Sequence, residues 1–308
     1  MRRIGSLVTL LWFVMAATQA WAHGVVGDYV FLEPLIAEDP TPANEFDVIE
    51  PNWTKSAGAR TFALGSSIEK VIGAGDAGDA WVPRWSIGAG SAWNYESPER
   101  GTNLSGFGEV QLFLKYAFWV VPEHEFLMGA MVDLAVPAGN SAFEAQSHAS
   151  VGPELLWEKG LGDLPDWPIV KFLRPLGFQG DFGYLPALAG PASHLLFADQ
   201  VIEYSLMYLS NSVYDLGLKW PLRNVFLFTE INYSQLVAGP AGQVFPTLLA
   251  TPGIAYVGYR FELSVGTQFA LNRASIPGTH AAVIALLDIF YDSIIAQGNW
   301  TLFGGGHP

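Results

Sequence analysis

The sequence predicts an all-β protein, a closed antiparallel transmembrane β-barrel of about 12 strands with an irregular N-terminal segment. Three observations predict it. Segments of about ten residues alternate apolar and small or polar side chains with a period of two, and ten residues is the length a tilted strand needs to cross a bilayer. A secretory leader opens the chain, and no later window holds the long uncharged run of a membrane helix. Carboxylates recur on the polar phase of strand after strand, and charge is costly on a lipid-facing surface.

The leader comes first. Arg2 and Arg3 precede an apolar run from Leu7 to Ala17, followed by Ala20-Trp21-Ala22. A basic start, a short apolar run and an A-x-A site form a signal peptide over residues 1–22, so the mature chain is expected to begin at His23. Removing its two arginines from the 15 Lys+Arg leaves 13 against 29 Asp+Glu, a formal charge of −16. So acidic a chain will not bind nucleic acid through phosphates. With no cysteine there is no disulfide and no thiol chemistry. Nothing in the sequence calls for a cofactor.

Residues 23–45 show no clean period, and Pro34, Pro40 and Pro42 interrupt them. This segment is expected to be irregular, either outside the barrel or tucked into its lumen. The barrel is expected over 46–303, with 304–308 a tail. Its first strand, 46–55, is weakly patterned. The second, 60–71, sets Phe62, Leu64 and Ile68 against Ala63, Gly65, Ser67 and Glu69. The third, 84–95, points Trp85, Ile87 and Trp93 outward and Arg84, Gly88 and Asn94 inward.

The clearest pair lies between Gly106 and Pro137. Val110, Leu112, Leu114, Tyr116 and Phe118 oppose Glu109, Gln111, Phe113, Lys115 and Ala117. After a short turn at Val121–Glu125, Met128, Ala130, Val132 and Leu134 oppose Leu127, Gly129, Met131, Asp133 and Ala135. Two such runs around a tight turn form a hairpin. The sixth strand, 149–158, sets Leu155 and Trp157 against Glu154 and Glu158, with Pro153 expected to mark a bend or bulge. The seventh, 176–185, sets Phe178, Phe182 and Tyr184 against Gln179 and Asp181.

The eighth, 199–209, carries Ile202, Tyr204, Leu206 and Tyr208 on one face and Glu203 and Ser205 on the other. The ninth, 224–235, turns Glu230 inward. The tenth, 247–257, is interrupted by Pro252. The eleventh, 260–271, is the cleanest, with Phe261, Leu263, Val265 and Phe269 against Glu262, Ser264, Gly266 and Gln268. The twelfth, 281–292, sets Val283, Leu287 and Ile289 against Asp288 and Asp292. An even count returns the chain to the side where it began. Turns Val121–Glu125 and Gly258–Tyr259 then face the periplasm, and 96–106 and 137–148 become outer loops. Segments 159–175 and 210–223 are long for turns, and short amphipathic helices are expected there at the rim. Trp85 and Trp93 share a face about 26 Å apart along the strand, close, once tilted, to the spacing of two aromatic girdles.

Three motifs suggest other chemistry. Gly73-Ala74-Gly75-Asp76-Ala77-Gly78 matches the dinucleotide fingerprint, but Pro83 and another β-period follow where a helix is required, so a flexible turn is expected. Ser147-His148 and Ser193-His194 are the residue types of outer-membrane phospholipases. Nucleophilic catalysis also needs a third group to orient the base, adjacent residues on a strand point to opposite faces, and no longer motif of that family appears. A processed His23 would bring an amine and an imidazole together, a pair that suits copper.

The polar phase is the least expected feature. Glu69, Glu109, Asp133, Glu154, Asp181, Glu203, Glu230, Glu262 and Asp288 all fall on it, with Arg84 and Lys115 as the clear cations. A wet lumen so lined favours cations. A filled lumen would use the same groups as partners for a plug.

Several stretches carry a resemblance: His23 to Asp28 (HGVVGD), Glu33 to Glu45 (EPLIAEDPTPANE), Pro175 to Tyr184 (PLGFQGDFGY), Glu203 to Leu209 (EYSLMYL) and Thr251 to Ile254 (TPGI). They resemble a family of bacterial outer-membrane proteins named through the meta-pathway of phenol degradation and often labelled transporters. The resemblance implies a barrel in the bacterial cell outer membrane and assigns no functional residue. The expected function is passive passage or binding of small solutes, either cations or small hydrophobic or aromatic compounds, with outer-membrane lipid around the barrel. A structural or partner-binding barrel with a filled lumen is the first alternative. A lipid hydrolase is the second, and the chain is expected not to be an enzyme.

Overall fold

The computed structural model describes residues 24–77, 80–143, 149–186, 188, 194–238 and 246–291, with side chains described for all of these except 74–77 and 80–83. A small hairpin opens the described chain, β1 (Val25–Val26) paired with β2 (Tyr29–Val30). Gly27 takes φ 64 at its turn, where a Cβ would run into the Pro122 carbonyl. The barrel follows as β3 (Glu45–Lys55), β4 (Ala59–Ala77), β5 (Ala80–Pro98), β6 (Leu104–Val121), β7 (Phe126–Val136) and β8 (Ser150–Gly160). It continues as β9 (Leu176–Leu185), β10 (His194–Ser205), β11 (Val225–Ala238), β12 (Thr247–Val257), β13 (Phe261–Ala270) and β14 (Ala281–Phe290). Every strand pairs antiparallel with the next, and β14 pairs with β3 to close twelve strands into a ring. Closure leaves no edge with unpaired N–H and C=O groups.

The two faces follow the predicted phase. Leu112, Leu114, Val132, Leu155, Phe182, Leu227, Leu263, Val265 and Val283 are exposed on the outside, and the alternate positions of β7, β8, β13 and β14 are mostly buried. On β13 the alternation is unbroken from Phe261 to Phe269. Trp85 stacks on Tyr116 and Trp93 on Tyr95. These two aromatic pairs lie toward opposite ends of β5, where two girdles belong.

Several predicted boundaries shift. β4 and β5 run eight residues past the Glu45–Glu69 pair. Gly73–Ala77 is therefore strand rather than turn, as are Trp81–Pro83. The eighth predicted strand stops at Ser205, not 209. Its hydroxyl accepts the Tyr208 N–H at 3.0 Å and starts a helical turn through Leu206–Tyr208, continuing to Val213. Serine competes well for backbone N–H groups at such a start.

Pro153 causes no bulge against β7, where Val132 faces it in unbroken register. Instead the β8–β9 ladder ends at Glu154–Gly183, and proline fills the position whose N–H would be unpaired. Pro252 does the same between β12 and β13, whose register skips from Ala250–Phe269 to Gly253–Gly266. The two long rim segments hold only single 3₁₀ turns, at Val170–Leu173 and Leu222–Asn224, besides the turn after Ser205. They expose Trp167, Ile169, Trp220 and Leu222. Residues 1–23 and 292–308, with the expected leader, tail and Asp292, lie outside the described residues.

The N-terminal segment enters the lumen. It begins at the rim carrying the Val121–Phe126 turn, here called the lower rim, and climbs to mid-height before returning to Glu45. Tyr29, Phe31 and Leu32 are wholly buried. Leu32 and Ala37 pack with Val201, Phe226, Phe228, Ala255 and Val257 on the inner wall. Val26, Tyr29 and Phe31 pack with Ala117, Leu127 and Tyr208. The lower half of the barrel is thus a filled core, with the segment as its centre.

Candidate functional site

Between Phe31 and Asn44 the segment has no regular structure, so its backbone N–H groups need partners other than a ladder. The inner carboxylates supply them. Glu203 accepts the Leu32 N–H at 3.3 Å, Glu262 that of Glu33 at 3.1 Å, and Asp181 that of Glu38 at 2.7 Å. Glu230 accepts three, from Leu35 at 2.6 Å, Ile36 at 3.0 Å and Ala37 at 3.3 Å. Glu69 accepts the Ala43 N–H at 2.9 Å, and Glu158 the Thr41 hydroxyl at 2.9 Å. A charged acceptor strengthens each bond over a neutral one. Gln179 donates to the Leu32 carbonyl at 2.8 Å, and Tyr29 to that of Pro175 at 2.8 Å.

Lys115 is the cation of this assembly. Its ammonium is fully buried and lies 2.9 Å from Glu38, 2.8 Å from Asp39 and 3.0 Å from Glu69. Three donors meet three carboxylates, two from the segment and one from the wall. Lys115 therefore ties the segment to β4 and β6 at once.

Above the segment lies an open cup of about 430 Å³. Its floor is Glu33 to Glu38. Its wall carries Glu45, Asp47 and Glu50 from β3, Glu69 from β4, Asp133 from β7, Glu154 from β8, Asp181 from β9 and Asp199 from β10. Ten carboxylates, counting Glu33 and Glu38, line one cavity, and no Lys or Arg does so among the described residues. The remaining lining includes Gln111, Phe113, Met131, Leu185, Leu195, Phe197 and Leu286.

The predicted lumen-lining residues thus divide into two tiers. Glu69, Lys115, Glu203, Glu230 and Glu262 bind the segment, and Asp288 faces Glu262 across β13–β14, fully buried. Asp133 and Glu154 face the cup, and Glu69 and Asp181 serve both tiers. Glu109 sits where β5–β6 register slips and lies beside Asp133. Arg84 is not in the cup, since it donates to the Ala117 carbonyl at 3.1 Å lower down. His23 lies outside the described residues, so its copper pair has no counterpart here.

Sequence reasoning missed Glu45, Asp47, Glu50 and Asp199, and the segment's own Glu38 and Asp39. A register slip between Asp47 and Glu50 hides the parity of β3. Asp199 lay at the margin of its predicted strand, which in fact begins five residues earlier. Glu158 and Gln179 stood on the correct phase but were not singled out as lumen candidates.

No protein family and no curated protein matches this sequence. Solved structures do. An outer membrane channel from Pseudomonas putida F1 is similar with a TM-score of 0.54 at 11% identity, over 82% of this chain and 97% of that one. The KdgM porin, solved with disordered oligogalacturonate, is similar at 0.40 and 11% identity, over 79% and 97%. The β domain of the Bordetella autotransporter BrkA is similar at 0.45 and 10% identity, over 80% and 98%. The first likeness shows the shared fold, a barrel of the kind that bacterial outer-membrane channels adopt.

Proposed function

We propose that this chain is a bacterial outer-membrane barrel that takes small solutes into its cup, cations before anions, and that the N-terminal segment governs their passage through the lower half. The observation that carries this reading is the cup itself, ten carboxylates around about 430 Å³, of which Glu38 and Glu69 are paired with Lys115 and no Lys or Arg lines the cavity among the described residues. Acidic rings concentrate cations and exclude anions. The resemblance to the phenol meta-pathway outer-membrane proteins fits a solute barrel and rests on the quoted stretches alone. No catalytic step enters the proposal. The His194 Nδ1 faces the Tyr184 hydroxyl at 2.5 Å, and Ser147, His148 and Ser193 lie outside the described residues.

A second reading is favoured by the filled lower half, which suits a structural barrel that conducts nothing. Reversal potential across a planar bilayer under a salt gradient separates the two. The proposal expects cation preference that weakens in Glu50→Gln/Asp133→Asn, because both residues face the cup and neither holds the segment. Anion preference refutes it. Silence, even when the segment is loosened by Glu230→Ala, leaves the structural barrel.

A further inference from the structure

We propose that the cup is a binding site for organic ammonium ions with an apolar body, with the charge seated among Glu154, Asp181 and Asp199 and the body against Phe197. This rests on the cation-accepting reading above and narrows it to a ligand class. Two neighbouring cross-strand rows build the site. In the upper row Glu154 faces Gly183, and Gly183 faces Phe197, across β8, β9 and β10. In the next row down, about 7 Å away, Asp181 faces Asp199. Leu195 and Leu185 face each other above them. The wall therefore runs from carboxylates at the floor to an apolar patch toward the mouth.

Gly183 makes this arrangement fit. A Cβ there would overlap the Phe197 ring and meet Glu154 Cγ at 2.8 Å. Without it the Phe197 ring lies across the strand and the Glu154 chain converges on the same spot. An aromatic face beside carboxylates is the pairing that recognises alkylated ammonium groups.

A second observation points to a ligand. Glu154 lines the cup at 7% exposure, yet it makes no hydrogen bond or ion pair among the described residues. Glu203, Glu230 and Glu262 below it each accept a backbone N–H of the segment, whereas Glu154 accepts none. Asp181 accepts the Glu38 N–H through Oδ2, while its buried Oδ1 has no hydrogen-bond partner. A buried carboxylate without a donor is costly, and an ammonium with three N–H groups supplies donors. An inorganic cation would leave Phe197, Leu195 and Leu185 unused. A neutral aromatic hydrocarbon would leave Glu154 without a donor, a neutral hydroxyl would offer it one donor and no charge, and an anion would meet ten carboxylates. A cavity of about 430 Å³ is in the size range of single-ring ligands.

The test is calorimetric titration of the full mature chain in detergent with phenethylammonium, 2-phenylethanol and 3-phenylpropanoate, which share a phenyl body and differ in charge. The expected result is saturable binding of phenethylammonium, about tenfold or more tighter than the alcohol, and no saturable binding of the carboxylate. Glu154→Gln should weaken the amine by about tenfold and leave the alcohol unchanged. Phe197→Leu, which keeps an apolar body but no ring, should weaken it several-fold. Equal affinity for amine and alcohol, or full amine affinity in Glu154→Gln, overturns the proposal. The three-ligand comparison on the native chain stands even if a variant fails to fold. Potassium preference in the bilayer without amine discrimination defeats this inference alone, whereas anion preference defeats the reading beneath it.

Discussion

Glu230→Gln is expected to loosen the N-terminal segment while leaving the barrel intact. The Glu230 carboxylate is fully buried, with Leu35 on Oε1 and Ile36 and Ala37 on Oε2. Glutamine has one acceptor oxygen. Set at the Oε2 position it keeps two of the bonds and turns its NH₂ against the Leu35 N–H. Set the other way it loses two. The better rotamer thus loses one bond to a charged acceptor, worth ~1.5–3 kcal/mol. The population with the segment withdrawn should rise roughly 10- to 150-fold. The barrel ladder is untouched, since the Glu230 backbone pairs with Val201 and Thr251 in either variant. Hydrogen exchange followed by mass spectrometry reads this directly. Amides of 32–38 should exchange faster by that factor, while those of β13 keep their protection. Unchanged exchange at 35–37 would refute the role of Glu230 in holding the segment. A uniform rise across all strands would show that it holds the barrel instead.

Lys115→Met should release the segment more completely, because three carboxylates lose their shared cation and breaking such a buried group costs ~3–5 kcal/mol; protease cleavage between Leu32 and Asn44 checks it. Leu112→Arg and Val132→Arg should each block stable insertion at a cost of ~2–4 kcal/mol, whereas Gln111→Arg, in the open cup, should insert normally, as heat-modifiable gel mobility will show. At the lower rim, burial raises the Glu125 carboxyl above its ordinary value of 4.5, against the Gly162 N–H and Tyr208 hydroxyl that it accepts. A raised folded value means that the stability from this group is complete below the ordinary value and is lost as pH rises through the raised one. Thermal midpoints should therefore fall with rising pH in the native chain relative to Glu125→Gln, and a relative rise would contradict the assignment.

The strands were legible because one face of each is apolar and the other is not. A one-residue error would put Glu262 or Asp133 outside, so the phase carries strong information. The ends of strands were less legible. The Ser205 turn, the overlong β4–β5 hairpin and the ladder gaps at Pro153 and Pro252 depend on which neighbour a backbone group meets, and a single strand does not encode that. The N-terminal segment was legible only as irregular. Its position is set by contacts over long sequence separations, such as Leu35 with Glu230 and Lys115 with Asp39. The acidic phase of β4 and β6 to β14 was largely visible, that of β3 was not, and the meaning of neither was. Carboxylates that receive backbone N–H groups look the same in sequence as carboxylates that face water.

The floor of the cup separates those two meanings. Below it, Glu203, Glu230 and Glu262 each accept a backbone N–H of the segment, and Asp39 and Glu69 are paired with Lys115, as polar groups of a folded core commonly are. Above it, Glu154 and its neighbours have more acceptor oxygens than donors. Simple filling of a barrel interior would mix signs, because a lone charge of either sign is costly there and pairs relieve it. The described chain instead places Lys115 beneath the floor and Arg84 lower still. The segment's own Glu38 joins the acidic floor while its N–H is given to Asp181. The same residue thus takes up acceptor capacity below and adds to it above. Excess acceptors on one side of a wall, beside an aromatic ring laid open by Gly183, support the proposed cation site over a structural filling.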